Sequence, residues 1–431
     1  MTNQSKTKIK TSSVILLISI FFPPEIGGGS TGAWNRVMAF HKLGYSVFIL
    51  GSIPTYPSGK VLDPKYKGKI FYTETIDSFV VIRLRNLPLE YAGFAKRLII
   101  FSSFTLLALF YMPKILKITG TVDIIYARSP VIFSSIIGFA YSKFTKSFFI
   151  YEAADLWPEE FVAFKSPLLP IIIAIGKVAA NLSYKLPNTI VTISKLASYH
   201  ISKEYKPKAS VYSIHVGVDP CKFPRLSKSD SRTELIGKRV FHSSFKGKFI
   251  VLYSGLLSSS QQIENLAYAA DKLKDEKDIA ILVIGEGEEK EKLQQLKQRQ
   301  DLHNFHLLPA QCRNIMPTII SAADVCLILL APEQIFRIAI PVKFYEYLSC
   351  CRPIIAVCQQ GELTNIINSH NIGQSIIGGD IDGLANIIKD YRNSPILLQT
   401  LEKNCYITLQ RFSLDSIVYD FENLLKKETR K

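Results

Sequence analysis

Short β-rich runs alternate with helical patterns along most of this chain, and the alternation occurs twice. In the first half the apolar runs begin with Val14–Phe22 and Tyr45–Gly51, and in the second half with Phe249–Ser254 and Ile279–Gly285. A strand–helix–strand rhythm of this kind is typical of a parallel sheet with helices on its faces. The sequence therefore predicts an α/β fold made of two doubly wound, Rossmann-like domains.

The two halves are separated by a polar stretch, Asp219–Lys248, which is rich in Lys, Ser, Arg and Pro and which we interpret as a linker. The predicted domains are 1–220 and 221–407, and we expect 408–431 to form a helix that packs back across their junction. Open parallel sheets bind ligands at the carboxyl ends of their strands. Two such domains therefore predict a ligand cleft between them, with the domains facing across it.

Basic residues are concentrated in the first half of the chain. Residues 1–225 contain 27 Lys and Arg against 12 Asp and Glu, whereas residues 226–431 contain 25 against 24. A basic half suggests nucleic acid or an anionic membrane surface as a partner. The sequence has no recognition-helix signature, zinc finger or ribonucleoprotein motif, so an anionic membrane surface is the favoured partner and nucleic acid is not expected.

One apolar run in the basic half is a candidate for membrane contact. Leu98–Met112 has 15 residues, fewer than the ~20 of a membrane-spanning helix. Lys96 and Arg97 precede it, and Lys114 and Lys117 follow it. Cationic flanks on a short apolar helix suit a segment that lies in the membrane interface. The alternative is an ordinary buried helix of an α/β domain.

The compartment and the metal content are predicted from the cysteines and histidines. Seven cysteines form no C-x-x-C pair and lie mostly in apolar runs, which is typical of buried thiols in a reducing compartment. The run Val14–Phe22 is followed by Pro-Pro-Glu and glycines rather than by a cleavage site, so we interpret it as a strand and not as a secretory signal. The cysteines and histidines do not show the spacing of a metal-binding motif, so we expect no metal and no cofactor. The predicted location is cytoplasmic, on the inner face of the membrane.

A glycine-rich loop joins the first predicted strand to the first predicted helix. It reads PPEIGGGSTG over residues 23–32. Glycines at Gly28 and Gly29 let the backbone approach a ligand closely, and amides that open a helix favour a phosphate group. The loop matches neither G-x-G-x-x-G nor a P-loop, which argues against dinucleotide and nucleoside-triphosphatase sites.

Two further segments carry candidate chemistry. In YEAADLWPEE, Asp155, Trp157 and Glu159 come just past a strand end, where we expect them to face the cleft; the alternative is a helix start with Asp155 as N-cap. In PVKFYEYLS, Lys343 lies near a helix N-terminus, where its charge and the helix dipole both favour a phosphate. Glu346 follows one turn later, where a carboxylate accepts hydrogen bonds from ribose hydroxyls. The alternative is an amphipathic helix with both side chains solvated.

Together these segments resemble the retaining GT-B glycosyltransferases of family 4, in particular the bacterial branch that builds surface polysaccharides such as O-antigen and capsule. The resemblance runs over nearly the whole chain, through FFPPEIGGGSTGAWNRVMAF, ARSP, YEAADLWPEE, IVTISK, HVGVD, YSGLLSSSQQIENL, LVIGEGEEKEKL, SAADVCLILL and PVKFYEYLSCCRPIIA. It implies the GT-B fold and metal-independent transfer, with retention, of a hexosyl or N-acetylamino-sugar unit. The implied donor is a UDP-linked sugar, and the implied acceptor is a lipid-linked polyprenyl diphosphate or a glycan.

With this resemblance, domain 1–220 is expected to bind the acceptor and the membrane, and domain 221–407 the nucleotide sugar. The resemblance also implies roles for individual residues. The donor-binding residues would be Gly28, Gly29, Ser258, Gly285, Lys343 and Glu346. The acceptor or membrane contacts would be Lys96, Arg97, Lys114, Lys117 and Trp157. The catalytic residues would be Asp155, which orients hydroxyl groups, and Glu346, which holds the ribose.

The sequence departs from the family pattern at three places, one of which is the common P-N-G-V-D run, here His215-Val216-Gly217-Val218-Asp219. The first acid of the E-x7-E motif is replaced by Ile338, and Glu333 could substitute for it only if the loop bends back. The usual Arg/Lys pair after the first strand of the second domain is replaced by neutral residues, Ser258 to Gln261. Lys343, helix amides and Arg337 would then neutralise the diphosphate. Two alternative functions are a noncatalytic GT-B subunit and a sugar-nucleotide epimerase.

Overall fold

The computed structural model describes residues 13–428 except positions 26, 57, 62, 92, 130–132 and 158–168. Its contacts divide the chain into two compact units. The first unit extends to Val216 and resumes at Ile417, and the second unit is Gly217–Ser416. Each unit has its own sheet, and both are α/β, as the strand–helix rhythm predicts.

The first unit contains an eight-stranded sheet. Its strands are β1 (Val14–Ile18), β2 (Ser46–Ser52), β3 (Phe71–Ile76), β4 (Phe79–Leu84), β5 (Ile124–Arg128), β6 (Phe148–Ala153), β7 (Thr189–Thr192) and β8 (Ser210–Ser213). Its helices are α1 (Gly28–Lys42), α2 (Phe94–Phe110), α3 (Met112–Thr119), α4 (Ser134–Thr145), α5 (Leu169–Lys185) and α6 (Lys195–Glu204). The strand order is β3-β4-β2-β1-β5-β6-β7-β8, and β3 pairs with β4 in the antiparallel direction.

The second unit contains a six-stranded sheet that is parallel throughout. Its strands are β9 (Phe249–Ser254), β10 (Ile279–Ile284), β11 (Phe305–Leu308), β12 (Val325–Leu329), β13 (Ile354–Val357) and β14 (Gly373–Ile376). Its helices are α7 (Lys228–Gly237), α8 (Glu264–Lys272), α9 (Lys290–Arg299), α10 (Met316–Ala322), α11 (Val342–Ser349), α12 (Glu362–His370), α13 (Ile381–Asn393) and α14 (Pro395–Phe412). The strand order is β11-β10-β9-β12-β13-β14.

Both sheets bury their central strands on two faces, which explains why those strands are nearly continuous apolar runs. All six residues of β10 are buried, as are all five of β12. The strand order reverses direction between β1 and β5 in the first unit and between β9 and β12 in the second. A reversal of this kind opens a crevice at the carboxyl ends of the strands, where α/β proteins bind ligands. The fold therefore predicts one ligand-binding edge in each unit.

The last helix, α15 (Leu414–Glu428), belongs to the first unit from Ile417 onward. Its Phe421 packs against Phe40 and Tyr126, with ring centroids 4.8 and 5.9 Å apart. The predicted single helix over 408–431 has the wrong start, because α14 continues to Phe412 and a break precedes α15. A helical pattern on both sides of that break hid it in the sequence.

The interpretation of Asp219–Lys248 as a linker is wrong. This stretch contains α7, whose Ser231 and Leu235 are buried. Asp324, just before β12, accepts hydrogen bonds from Lys228 Nζ and Arg232 Nη2, both at 2.6 Å, and from the amide of Ile250 at 2.7 Å. The segment is polar because its basic side chains bind a buried carboxylate, not because it is a solvated linker. Composition alone does not distinguish these two cases.

The apolar run Leu98–Met112 forms most of α2, which is buried on one side only. Ile100, Phe101 and Phe104 are buried, whereas Leu106 and Phe110 are 68% and 76% exposed. Among the described residues no single helix is long and apolar enough to cross a bilayer; α2 and α3 reach that length and composition as a pair, with a 64° bend between them.

Candidate functional site

Lys343 lies in the first turn of α11, at the ligand-binding edge of the second unit. Its ammonium lies 4.0 Å from the centroid of the Tyr253 ring and 3.5 Å from Gln261 Oε1. A Cβ on Gly255, the residue after β9, would lie 2.7 Å from Lys343 Nζ. The absence of a side chain at Gly255 therefore makes room for the ammonium beside the end of the central strand.

The ammonium of Lys343 has no ion-pair partner among the described residues, although Glu346 acts on it from a distance. Burial lowers the pKa of Lys343 to about 7 against the opposing effect of Glu346. A desolvated cation without a counter-ion is unfavourable by itself and becomes favourable when an anion binds. The arrangement is that of an anion site, and a helix N-terminus adds to its positive potential.

Glu346 lies one turn after Lys343, as its spacing predicts, and has a partner that the sequence did not indicate. Arg313 Nη2 donates a hydrogen bond to Glu346 Oε1 at 2.9 Å, and the guanidinium also lies over the Phe223 ring. Burial raises the pKa of the Glu346 carboxyl, while Arg313 and Lys343 oppose the rise. Because Arg313 is about half exposed, Glu346 retains access to solvent on that side.

The loops after β9 and β10 pack together closely beside this site. A Cβ on Gly285 would lie 1.9 Å from the carbonyl oxygen of Gly255, so only glycine fits there. Ser258 Oγ lies 2.9 Å from Ser260 Oγ, within hydrogen-bond distance. Gly285 thus shapes the loop that carries Ser258, and the loop presents hydroxyl groups where the family pattern has cations.

The segment between β12 and α11 contains Ile338, which replaces the first acid of the family motif, and the two nearby charged residues Glu333 and Arg337. Residues Gln334–Ile338 form a short 3₁₀ helix. Glu333, just before it, has a buried Oε2 without a hydrogen-bond partner among the described residues. Arg337 donates from Nε to the carbonyl of Gln360 at 2.8 Å, which directs its guanidinium toward the start of α12.

In the first unit, α1 begins at Gly28, within the glycine-rich run, whereas the sequence pattern predicted a helix from Gly32 to Leu43. The Arg128 guanidinium donates to the carbonyl of Gly29. A Cβ on Gly32 would lie 2.3 Å from Arg128 Nη2, so a larger residue here would have to displace the guanidinium. Arg128 therefore holds the loop in place while Gly28 stays exposed and Gly29 stays partly exposed.

Arg128 is part of a buried charge network. Glu152, in β6, is fully buried and lies 3.1 Å from both Arg36 Nε and Arg128 Nε. The Tyr126 hydroxyl donates to Glu152 Oε2 at 2.6 Å. The two arginines hold the pKa of Glu152 down to about 2 even though burial opposes this shift. The network fixes α1 and its glycine loop to the central strands.

Asp155 and Trp157 follow β6 and line a cavity of about 210 Å³ at the edge of the first unit, together with Arg97 and the glycine loop. The Asp155 amide donates to Ser129 Oγ, and burial raises the pKa of the Asp155 carboxyl while Arg128 and Arg97 lower it. The structure thus brings Asp155, Trp157 and Arg97 together with Gly28 and Gly29. Glu159 lies outside the described residues.

The other predicted membrane contacts lie on the surface of the first unit. Lys96 lies 3.8 Å from Glu90 and is half exposed. Lys114 lies over the Phe71 ring at 4.0 Å, and Lys117 is exposed. These three lysines are not among the residues that line the cavity, in contrast to Arg97.

Comparison with known proteins gives a family match within the second unit. The family model described as glycosyl transferases group 1 matches residues 238–407. This segment is a glycosyltransferase group 1 domain. WcaI of Escherichia coli K12, named as a glycosyl transferase of colanic acid biosynthesis, is 33% identical over 82 residues, which are 19% of this chain and 20% of WcaI. WbjE of Pseudomonas aeruginosa, named as a glycosyltransferase, is 31% identical over 150 residues, or 34% of this chain and 36% of WbjE. The matched parts thus span well under half of either relative.

Solved structures resemble the chain over almost its full length. Sucrose-phosphate synthase from Thermosynechococcus elongatus has a TM-score of 0.75 at 18% identity and covers 96% of this chain and 98% of its own. HepE from Anabaena in complex with UDP has a TM-score of 0.68 at 17% identity and covers 96% and 100%. At these identities the likeness establishes the fold, which is GT-B, and confirms the predicted class.

Several residues of the group 1 domain and of the first unit were missed by sequence reasoning. Arg313, Tyr253 and Gly255 are distant from α11 in sequence, and only the strand order brings them to it. Glu25 was passed over although it lies between two prolines and the glycine run, from which Ile26 separates it. An acid in this apolar, glycine-rich loop was the available sequence signal, and only the structure shows that it is buried.

Proposed function

We propose that this protein is a retaining glycosyltransferase of family 4 that uses a UDP-linked sugar. It transfers a hexosyl or N-acetylamino-sugar unit to a lipid-linked polyprenyl diphosphate or to a glycan, during assembly of a surface polysaccharide such as O-antigen or capsule. The observation that carries this proposal is Lys343, a desolvated cation without an ion-pair partner among the described residues, at the ligand-binding edge of a group 1 domain. HepE, which shares the fold, is described in complexes with UDP and with UDP-glucose, and this supports a uridine donor.

The chemistry follows from the charge that develops during transfer. The bond between the anomeric carbon and the β-phosphate oxygen breaks while the acceptor oxygen bonds to the same carbon from the same face. The acceptor proton passes to the departing phosphate, so the protein need not supply a nucleophile. Lys343 and the amides at the start of α11 stabilise the diphosphate as it leaves, and this takes the place of a metal ion. Glu346 binds the ribose, and Asp155 orients the reacting hydroxyl groups.

We further propose that the protein works on the inner face of the cytoplasmic membrane. The supporting surface is formed by α2, α4 and α5, where α4 contacts both of the others. Leu106 and Phe110 of α2 and Ile175, Val178 and Leu182 of α5 are all at least 60% exposed. Their spacing of three or four residues, or multiples of it, places them on one side of each helix.

The charges around this surface suit anionic lipid. Helices α2, α3, α4 and α5 contain no aspartate or glutamate. Their basic residues are Lys96, Arg97, Lys114, Lys117, Lys143, Lys177 and Lys185. Apolar side chains surrounded by ammonium groups are typical of a surface that enters the lipid headgroup region.

The donor site is tested by isothermal titration with UDP, GDP and dTDP and by transfer assays with the matching sugars and native membrane lipid, read by mass spectrometry. We expect UDP to bind best, and Lys343→Met and Glu346→Gln to weaken it about tenfold or more. Lys389→Met is the matched control, at a partly exposed lysine of the same unit that lies 3.4 Å from Glu276. Unchanged binding in Lys343→Met would refute the site. UDP binding without sugar transfer would favour a noncatalytic subunit. Conversion of the sugar nucleotide into its epimer would favour an epimerase.

The membrane surface is tested by sedimentation with vesicles of phosphatidylcholine, with and without phosphatidylglycerol. We expect binding to require the anionic lipid and to fall about tenfold in the double variant Phe110→Ser, Val178→Ser. Ile396→Ser, at an exposed isoleucine of the second unit, is the control. Equal binding by the double variant, or full release by salt alone, would refute insertion of the apolar residues.

A further inference from the structure

Glu25 is a buried carboxylate in the wall of the first unit's cavity, with one oxygen satisfied and one not. Its Oε1 accepts hydrogen bonds from the amides of Thr55 at 2.9 Å and Tyr56 at 3.0 Å. Its Oε2 is buried and has no hydrogen-bond partner among the described residues. The residue is 8% exposed. The backbone thus fixes the orientation of a carboxylate whose second oxygen lacks a donor.

An unpartnered buried oxygen is unfavourable in the unliganded protein. Leaving such a group unsatisfied costs about 1–3 kcal/mol, and more when it is charged. Burial raises the pKa of the Glu25 carboxyl, although the two amides and Arg83 oppose the rise. Native proteins rarely keep such an atom without a reason. Because Glu25 lines a cavity, a ligand that donates a hydrogen bond would remove the cost.

The rest of the cavity wall is mainly aromatic. Phe21, Tyr56 and Tyr91 contact one another, with ring centroids 5.2–5.7 Å apart. Trp157 packs beside Phe101 at 5.5 Å. Aromatic rings offer flat apolar faces, while Glu25 and Asp155 offer acceptor oxygens in the same space. A ligand for this wall has an apolar face and hydroxyl or amide donors at its edge, which describes a sugar ring.

The size and the charge of the cavity further restrict the class of ligand that it can bind. Its volume of about 210 Å³ is below the ~300–1,000 Å³ typical of pockets for drug-sized ligands, so a single sugar ring suits it better than a nucleotide. The guanidinium of Arg97 in the wall disfavours a cationic ligand. The Glu25 and Asp155 carboxyls in the same wall disfavour an anionic ligand, so a neutral sugar suits the cavity best.

We propose that this cavity binds one neutral pyranose of the acceptor and that Glu25 selects it by accepting a hydrogen bond from a ring hydroxyl or an acetamido N–H. The aromatic side chains, Trp157 among them, stack on the apolar face of the ring. The inference rests on the proposed transferase function, since it supplies the acceptor subsite of that reaction. Glu25 is a specificity residue in this scheme, because it binds a substituent of the ring, whereas Asp155 in the same wall orients the reacting hydroxyl group.

The test uses Trp157 as a reporter. The chain has two tryptophans, so Trp34→Phe leaves Trp157 alone. Methyl pyranosides of glucose, galactose, N-acetylglucosamine and N-acetylgalactosamine are titrated into this full-length variant, and fluorescence is recorded. We expect at least one sugar to change the emission saturably, and Glu25→Gln to weaken its binding about tenfold or more. The glutamine keeps a carbonyl oxygen for the Thr55 and Tyr56 amides. Glu90→Gln, at an exposed glutamate, is the matched control.

Kinetics and donor binding separate the possible failures. With the native acceptor, Glu25→Gln should raise the KM for acceptor about tenfold and leave kcat and the KM for donor nearly unchanged. If no sugar alters the emission, or if Glu25→Gln binds as tightly as the parent, this inference is wrong even when UDP binding is intact. If neither variant nor parent binds UDP, the proposed function fails instead.

Discussion

Replacing Lys343 by methionine removes a charge while nearly preserving the length and apolar stem of the side chain. In the unliganded protein burial lowers the pKa of Lys343 to about 7, so about half of the molecules carry the charge near neutral pH. A diphosphate binds the protonated form preferentially. Its own terminal group, with a pKa near ~6, is already fully ionised above neutrality. The affinity for UDP should therefore follow the protonation of this one lysine.

The size and the direction of the pH effect on UDP binding follow from the pKa of Lys343. As the pH rises, the lysine loses its proton and binding weakens, because the free protein must regain the proton when UDP binds. Between about pH 7 and about pH 8.5 the dissociation constant should rise about 16-fold, which corresponds to about 1.6 kcal/mol. In Lys343→Met the constant should be about 30-fold larger near neutral pH, from loss of a charge-assisted contact, and nearly independent of pH over this range.

Isothermal titration at several pH values measures both effects, with Lys389→Met as the control that retains the slope. Chemical unfolding of the unliganded Lys343→Met should show a stability at least equal to that of the parent, since the variant no longer buries a cation. A pH slope that persists in Lys343→Met, or a constant that does not change with pH in the parent, would show that another group controls binding.

Three further predictions concern the framework of the two units. Glu152→Gln should destabilise the first unit by about 3–5 kcal/mol in urea unfolding, because two buried arginines lose their counter-charge. In the parent, that contribution is present above the unfolded pKa of about 4.3 and is lost as the pH falls toward the folded value of about 2; a loss below about 1 kcal/mol in the variant would contradict the network. Gly285→Ala should abolish UDP binding, since its Cβ would meet a backbone oxygen, whereas Gly378→Ala, whose Cβ would lie 3.7 Å from a side-chain oxygen, should bind normally; equal binding by both would refute the close packing. Asp324→Asn should lower the stability of the second unit by about 2 kcal/mol through its contacts with α7, and no change would restore the view of that region as a linker.

The sequence by itself determined the fold class and the positions of most strands. Parallel strands buried on both faces must be apolar, so β9 was predicted with its observed ends. Spacing alone also placed Lys343 and Glu346 on one side of α11, because residues three apart on a helix are neighbours. The short edge strand β3, with polar residues alternating along it, carried no such signal and was missed.

Only the tertiary structure decided which distant residues share a site. Arg313 reaches Glu346, and Tyr253 lies under Lys343, because β9 is adjacent to β12 in the sheet although several elements separate them in sequence. The same holds for Glu25, whose environment is made by amides of another loop and by aromatic rings from three segments. Local sequence patterns show which face of each helix or strand is buried. The charge state of a buried side chain, and whether its hydrogen bonds are satisfied, depend on neighbours that only strand order and packing bring close.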